Sequence, residues 1–485
     1  MSTPGTNWPQ DRVDAPGWLA PARDPSLDLL ALWGEAGLAH AAWLDPRALT
    51  LRVTSIAARE DRFPALSPHR PAAILFERMM RDLWALEAEG GLDARPWLDH
   101  GLWPVEAPLS GHAARHAPQQ VLPTFLPVEG EGLHEIPVGP IHAGIIEPGH
   151  FRFTVQGEAI IRLEARLGYA HKGMLALMQG KSPRAAMRFA ARLSGDSTVA
   201  HSLAFAQAAE SITGTAPPLR AVTLRRVMLE LERLHNHLND LGFLANDAGF
   251  APIHARAGLA RETLLRAIAA GFGHRLMMDR IIPGGVAIDL DAGGLAGLRA
   301  ALAQVAAELP ILLRLYESHA SLQDRMLGTG AIPPALVAAF APGGVVGRAS
   351  GRPFDARLLE GPMAVPTQPN GDVDARWRQR HAEAQSSLDL LALLLDALPD
   401  GPMSAPLAEP VLPRGGLGLA LVEGFRGECL AWLRLDDGGL IQAAFLRDPS
   451  WLHWPLLEAA AIGNIVADFP LINKSINASY SGVDL

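Results

Sequence analysis

The sequence predicts an α+β protein in two parts: a small α/β domain over residues 1–122, then a large, mainly α-helical domain over residues 123–485 with a β-hairpin or small sheet. Three observations predict it. A chain of 485 residues is longer than one compact core usually organises. Short strand-like runs with one helical stretch fill the first part, and long apolar repeats of helical period fill the second. Between them, Ser110 to Thr124 is rich in His, Pro and Gln without apolar period, which suits a linker.

The elements follow in order. Leu49-Thr-Leu-Arg-Val53 reads as a strand, and Ala72 to Glu89 as a helix in which Leu75, Met79, Leu83 and Leu86 recur on one face. From Ile136 to Leu167 the pattern is extended. Phe151 to Val155 and Ala159 to Leu163 flank Gln156-Gly157-Glu158, a hairpin signal. Helical periods then run over Ser182 to Arg192, Thr198 to Thr213, Leu219 to Ala245, His254 to Gly271, Leu295 to Met326 and Val373 to Leu398. Val422 to Phe445 alternates like a strand pair turning at Asp436-Asp-Gly-Gly439.

Composition excludes several classes. The formal charge is −9, and no basic stripe is interleaved with aromatics, so nucleic acid is not an expected partner. The lone Cys429 excludes an internal disulfide, and one thiolate cannot complete a zinc or iron–sulfur site. The first residues lack the basic flank and apolar run of a signal peptide, which places the chain in the cytoplasm. The most apolar stretch, Leu388 to Leu398, is short and carries Asp389 and Asp396, so any membrane attachment is expected to run through a partner. There is no Gly-rich dinucleotide or phosphate loop.

Four motifs carry a resemblance. They are Ile136-Pro-Val-Gly-Pro-Ile-His-Ala-Gly-Ile-Ile-Glu-Pro-Gly-His-Phe-Arg-Phe153, Leu167-Gly-Tyr-Ala-His-Lys-Gly-Met174, Gly284-Gly-Val286, and Arg348-Ala-Ser-Gly351 with Asp355 and Arg357. Residues 136–485 resemble the large subunit of membrane-bound, energy-converting [NiFe] hydrogenases of the formate hydrogenlyase and hydrogenase-4 types. They are similar also to the homologous large subunit of respiratory complex I. Pro71 to Trp84 and Trp103-Pro104 resemble the complex I small-subunit-like domain fused ahead of the large one in those hydrogenases. The resemblance implies a hydrogenase large-subunit-like fold.

It also implies what is missing. The family holds nickel and iron through two Cys-x-x-Cys pairs, since that cluster needs soft thiolates. The first falls here on Ser194-Gly-Asp-Ser197, just before Ala200-His201, and the second near Asn473 to Ser479. Leu175 stands where the family has a glutamate. The chain is therefore expected to hold no NiFe centre and no other cofactor directly.

Complex I supplies the alternative chemistry, a quinone cavity. The resemblance carries its histidine–aspartate pair onto His150, with His142 next, and Asp247; its tyrosine position falls on Gly195, beside Asp196. A histidine beside a carboxylate holds one tautomer and can give a proton to a reducing quinone. His142, Arg192, Ser194, Ser197, His201 and Ser475 are expected to face the cavity or a neighbouring cluster, and Asn473, Asn477, Ser479 and Tyr480 to line a polar pocket. His235 and His237 lie two apart on a helix and face different ways, so no shared ion is expected.

The implied setting is a membrane-associated oxidoreductase complex on the cytoplasmic face of the inner membrane, with this chain peripheral. Its implied partners are a small iron–sulfur subunit carrying a 4Fe–4S cluster, and antiporter-like and other integral membrane subunits. The competing expectation is a non-catalytic structural subunit of an ion- or inorganic-carbon-handling assembly.

Overall fold

The computed structural model describes residues 8–112, 114–115, 119, 123–143, 146–407 and 416–485. It is an α+β structure with several small sheets and long helices.

The first part is built on a four-stranded sheet of β1 (Gln10–Arg12), β2 (Asp28–Glu35), β3 (Leu38–Asp45) and β4 (Thr50–Ala57), in the order β1-β4-β3-β2. Against it packs α1 (Ile74–Trp84), which buries Leu75, Met79 and Leu83. The helix is shorter than Ala72 to Glu89. Ala85 takes a left-handed turn (φ 57) that closes onto the carbonyls of Arg81 and Met80, and Glu87–Glu89 leaves as a strand beside Arg62–Pro64. Of the expected linker, Ala114–Arg115 pairs with Val105–Glu106, while residues 113, 116–118 and 120–122 lie outside the described residues.

The extended region forms an antiparallel sheet of β5 (Leu133–Val138), β6 (His150–Gln156) and β7 (Ala159–Arg166), with Gly157 at the turn in a positive-φ conformation. The helices follow: α2 (Pro183–Ala190), α3 (Thr198–Thr213), α4 (Leu219–Asp247), α5 (Ala251–Phe272), α6 (Ala292–Glu317), α7 (Ala320–Met326) and α8 (Val373–Asp396). The single helix expected over Leu295 to Met326 is two. The chain breaks at Ser318-His319, where the His319 ring accepts from the Leu322 N–H and starts α7. Among the described residues α6, not Leu388 to Leu398, is the helix long and apolar enough to cross a membrane by length and composition, its most apolar 18-residue window having a mean hydropathy of 1.4. Its alanines raise that value, and Leu298, Val305, Leu309 and Leu312 are buried.

The late strand pair proves to be three strands, β8 (Gly416–Gly424), β9 (Gly427–Leu435) and β10 (Ile441–Arg447). After them come α9 (Ser450–Ala461), α10 (Phe469–Ile476) and a helical turn at Ser481–Asp484. Aromatic packing ties the first sheet and α1 to this region. Trp33 stacks on Phe445 with centroids 5.3 Å apart, and Phe76 on Trp451 at 4.9 Å.

Two motifs acquire physical reasons. A Cβ on Gly285 would stand 2.2 Å from the Met403 carbonyl, so only glycine lets those backbones meet. Arg348, fully buried, donates to Glu383 (2.7 Å) and Glu423 (2.8 Å), and Arg357 reaches Glu230 (2.7 Å) and Asp355 (2.7 Å). Burial alone would raise the Glu383 carboxyl, but the guanidiniums of Arg348 and Arg233 and the ring of His237 hold it well below the usual carboxylate range. This network joins α4, α8 and β8 behind the site described next. Truncating one member would strand a buried charge.

Candidate functional site

Five segments far apart in sequence meet in a polar cleft of about 360 Å³. The turn before α3 brings Ser194 to Asp196, and α4 presents Asn239, Asp240 and Phe243. The β8–β9 turn brings Arg426, and the chain from Asn473 to Ser481 closes the far wall. Ile146 and Glu147, between β5 and β6, complete the rim. The closing segment turns because Asn477 caps α10 in the left-handed region (φ 54), which asparagine tolerates. That bend carries Ser479 and Tyr480 inward.

The two cysteine-pair positions come together. Ser194 Oγ lies 2.8 Å from Ser479 Oγ, and Ser194 also donates to Asp196 at 3.0 Å. Arg426 clamps both Asp196 oxygens at 2.6 Å, and donates to Ser197 Oγ at 3.1 Å and to the Asn477 carbonyl. Burial works to raise the Asp196 carboxyl, but the Arg426 guanidinium outweighs it and holds it below the ordinary value. Asp240 accepts from Arg380 (2.9 Å) and from Asn477 (2.9 Å).

A second layer fixes the first. His201 Nε2 meets Asp448 Oδ2 at 2.9 Å, Asp448 accepts the Ser450 N–H, and Ser450 Oγ accepts the Ser479 N–H at 2.8 Å. Ser197 and His201 are thus buried behind the cleft. Glu232 accepts the Val199 and Ala200 N–H groups at the start of α3, and burial pushes its carboxyl up to about 8.

The other sequence-predicted residues scatter. His142 Nε2 lies 3.3 Å from the Tyr480 hydroxyl, which Asn473 also approaches at 3.4 Å. Burial lowers the His142 imidazole and raises the Tyr480 phenol to about 12. His150 sits against Phe125 and the Gly139 carbonyl, whereas Asp247 ends α4, where burial raises its carboxyl against the opposing charge of Lys474. Neither is among the other's contacts. Arg192 is exposed and paired with both oxygens of Asp279 at 2.7 Å. Ser475 is fully buried and accepts from Arg376 Nε at 2.8 Å, so it does not line the cleft. Asn473, Asn477, Ser479 and Tyr480 do. His235 and His237 are buried, with His237 3.4 Å from Glu383.

Arg426 and Asp240 are the functional side chains that sequence reading missed. Arg426 sits in a tight turn, Gly424-Phe-Arg-Gly427, and nothing in its spacing announces a partner 230 residues away. The cleft's polar groups are hydroxyls, amides and carboxylates, with the Arg426 guanidinium and the Lys474 ammonium among them. Soft nickel and iron ligation does not fit that set: protonated hydroxyls are poor ligands for such a centre, and a fixed cation repels a metal ion.

Comparison with known proteins agrees with the motifs. Residues 247–417 match the family of the respiratory-chain NADH dehydrogenase 49 kDa subunit, and residues 172–241 match the nickel-dependent hydrogenase family. The chain is 31% identical over 455 residues to formate hydrogenlyase subunit 5 of Escherichia coli (strain K12), covering 90% of this chain and 79% of that one. It is 29% identical to an NADH-quinone oxidoreductase subunit of Roseiflexus sp. (strain RS-1), covering 72% of this chain and 98% of that one. Among solved structures, it shares the fold of a chain of the membrane-bound sulfane sulfur reductase, an archaeal respiratory membrane complex. That match has a TM-score of 0.68 at 23% identity and covers 74% of this chain and 100% of that one.

Proposed function

This chain belongs to the large-subunit family shared by membrane-bound hydrogenases and NADH-quinone oxidoreductases, and we propose that it is the peripheral large subunit of a membrane-anchored oxidoreductase complex. In this reading residues 1–122 form the small-subunit-like domain and residues 123–485 the large-subunit-like domain. The chain lies on the cytoplasmic face of the inner membrane. A small iron–sulfur subunit with a 4Fe–4S cluster stands beside it, and antiporter-like and other integral membrane subunits hold it there. It carries no NiFe centre, and its cleft takes a reducible, hydrogen-bonding ligand of the quinone type.

The observation that carries this reading is the contact of His142 with Tyr480 beside a cleft built without soft donors. Two-electron reduction of a quinone takes up two protons, and a phenol hydrogen-bonded to an imidazole is a proton source that a second proton transfer can refill. The tyrosine, absent from its family position at Gly195, is here supplied by the C-terminal segment. This favours His142 over His150 with Asp247 as the proton-bearing group. Ser194, Ser479 and Asn473 would orient the ligand's oxygens, and Arg426 would hold Asp196 in place.

The second reading, a structural subunit without a redox step, draws on the Arg426–Asp196 clamp, which fills the metal position with a satisfied ion pair. One experiment separates them. The complex is purified from membranes through a tag on this chain, its subunits identified, its iron and nickel measured, and paramagnetic resonance recorded on reduction. A cluster signal that added quinone reoxidises supports the redox reading. Membrane subunits without a reducible cluster sink it and leave the structural role.

A further inference from the structure

Away from the serine cleft, a second cleft of about 340 Å³ opens between α1, residues 93–100, β7 and α9. That is near the small end of the roughly 300–1,000 Å³ typical of ligand sites. Strand alternation sets Arg162, Glu164 and Arg166 side by side on the face of β7 that lines it. Trp97, Phe125, Phe340 and Trp454 supply apolar walls.

Its charges are unevenly matched. Asp93 takes Arg78 (3.3 Å) and Arg95 (2.7 Å), and Glu164 takes Arg95 (2.8 Å). Arg162 donates to the carbonyls of Leu126 and Pro127 and meets no carboxylate among the described residues. Arg166 has no hydrogen-bond or ion-pair partner among them; its guanidinium lies 5.8 Å from the Tyr169 ring, and its Nε is buried. Trp97, 3% exposed, likewise leaves its indole N–H without an acceptor. The remaining carboxyl, Glu458, accepts the Ala165 N–H at 2.6 Å, and burial pushes it up to about 7, so near neutrality it is only partly ionised, and no guanidinium of the cleft pairs with it among the described residues. Two guanidiniums without a carboxylate partner, set among aromatic walls, are what an amphipathic anion would satisfy.

We propose that this cleft is a binding site for an amphipathic carboxylate, its head on the Arg166 guanidinium and its apolar body along Phe125 and Trp454. The site is independent of the serine cleft, so it stands or falls apart from the redox reading. A carboxylate on Arg166 gains charge-assisted bonds that a neutral head cannot make, while the aromatic walls accept either body.

The test titrates the full chain with decanoate and, separately, with decanol, following tryptophan fluorescence and calorimetry. Saturable decanoate binding at one site per chain is expected, with Arg166→Gln weakening it about tenfold and leaving decanol unchanged. Phe125→Ala, on a partly exposed segment, should weaken both ligands and guards against a folding artefact in the first variant. Absence of saturable decanoate binding, or equal decanoate affinity in wild type and Arg166→Gln, overturns the proposal. So does binding to phosphatidylglycerol vesicles without binding to free decanoate, which would make this face a membrane contact.

Discussion

The Arg426–Asp196 clamp makes a prediction whose sign depends on burial. The Asp196 side chain is 41% exposed, while that of Arg426 is 5% exposed. Arg426→Met releases a carboxylate that water can reach, so the loss is that of a half-exposed pair plus the bonds to Ser197 and the Asn477 carbonyl, about 1–2 kcal/mol. Asp196→Asn leaves a buried guanidinium facing a neutral amide, and truncations of this kind cost about 3–5 kcal/mol when fully buried. Ser197 Oγ and the Asn477 carbonyl remain as acceptors to Arg426, so the lower end, about 3 kcal/mol, is expected. The double variant should cost less than the sum, with a coupling of about 1–2 kcal/mol, because neither charge is then stranded. Urea unfolding of wild type, both single variants and the double variant under one buffer gives the ranking through the midpoints. Were Arg426→Met as costly as Asp196→Asn, the partial exposure of Asp196 would not be what sets the balance.

Three further outcomes follow from the same geometry. In the purified complex, Tyr480→Phe and His142→Ala should each slow quinone-dependent reoxidation of the cluster by about tenfold or more, and His150→Ala should leave it unchanged; the opposite ranking would return the role to His150. Glu232 has a folded value of about 8 against 4.5 unfolded, so its stabilising contribution is complete below pH 4.5 and is lost as pH rises towards 8. Wild type should therefore lose on the order of 4 kcal/mol relative to Glu232→Gln across that window, read from thermal unfolding at several pH values, and a constant difference would refute it. His201→Leu should destabilise by about 3 kcal/mol, because the fully buried Asp448 carboxylate would keep, among the described residues, only the Ser450 N–H as a direct partner; calorimetric unfolding unchanged from wild type would show that Asp448 finds another donor.

Local pattern reached far along this chain. The hairpin at Gln156-Gly157-Glu158 was legible because side-chain period 2 on both sides leaves only the glycine free to turn. α3, α4 and α8 were legible within two or three residues, since long apolar periods leave no other regular structure. The break at Ser318-His319 was not, because the apolar period continues through it and a side-chain cap alone divides the helix. The third strand, Gly416–Gly424, was hidden for a similar reason: strands buried on both faces lose their alternation.

The sequence by itself determined that the thiolates are gone, that hydroxyls stand at Ser194 and Ser197, and that the motifs belong with one family of large subunits. Only the tertiary structure decided what those hydroxyls meet. Ser194 touches Ser479 across 285 residues, Arg426 fills the space between the pair positions, and His142 meets a tyrosine that no spacing rule would assign to it. Periodicity encodes which face of an element is buried, but not which distant element buries it. That choice is made by the packing of α4 and α8 and by the left-handed turn at Asn477, acting on the whole chain at once.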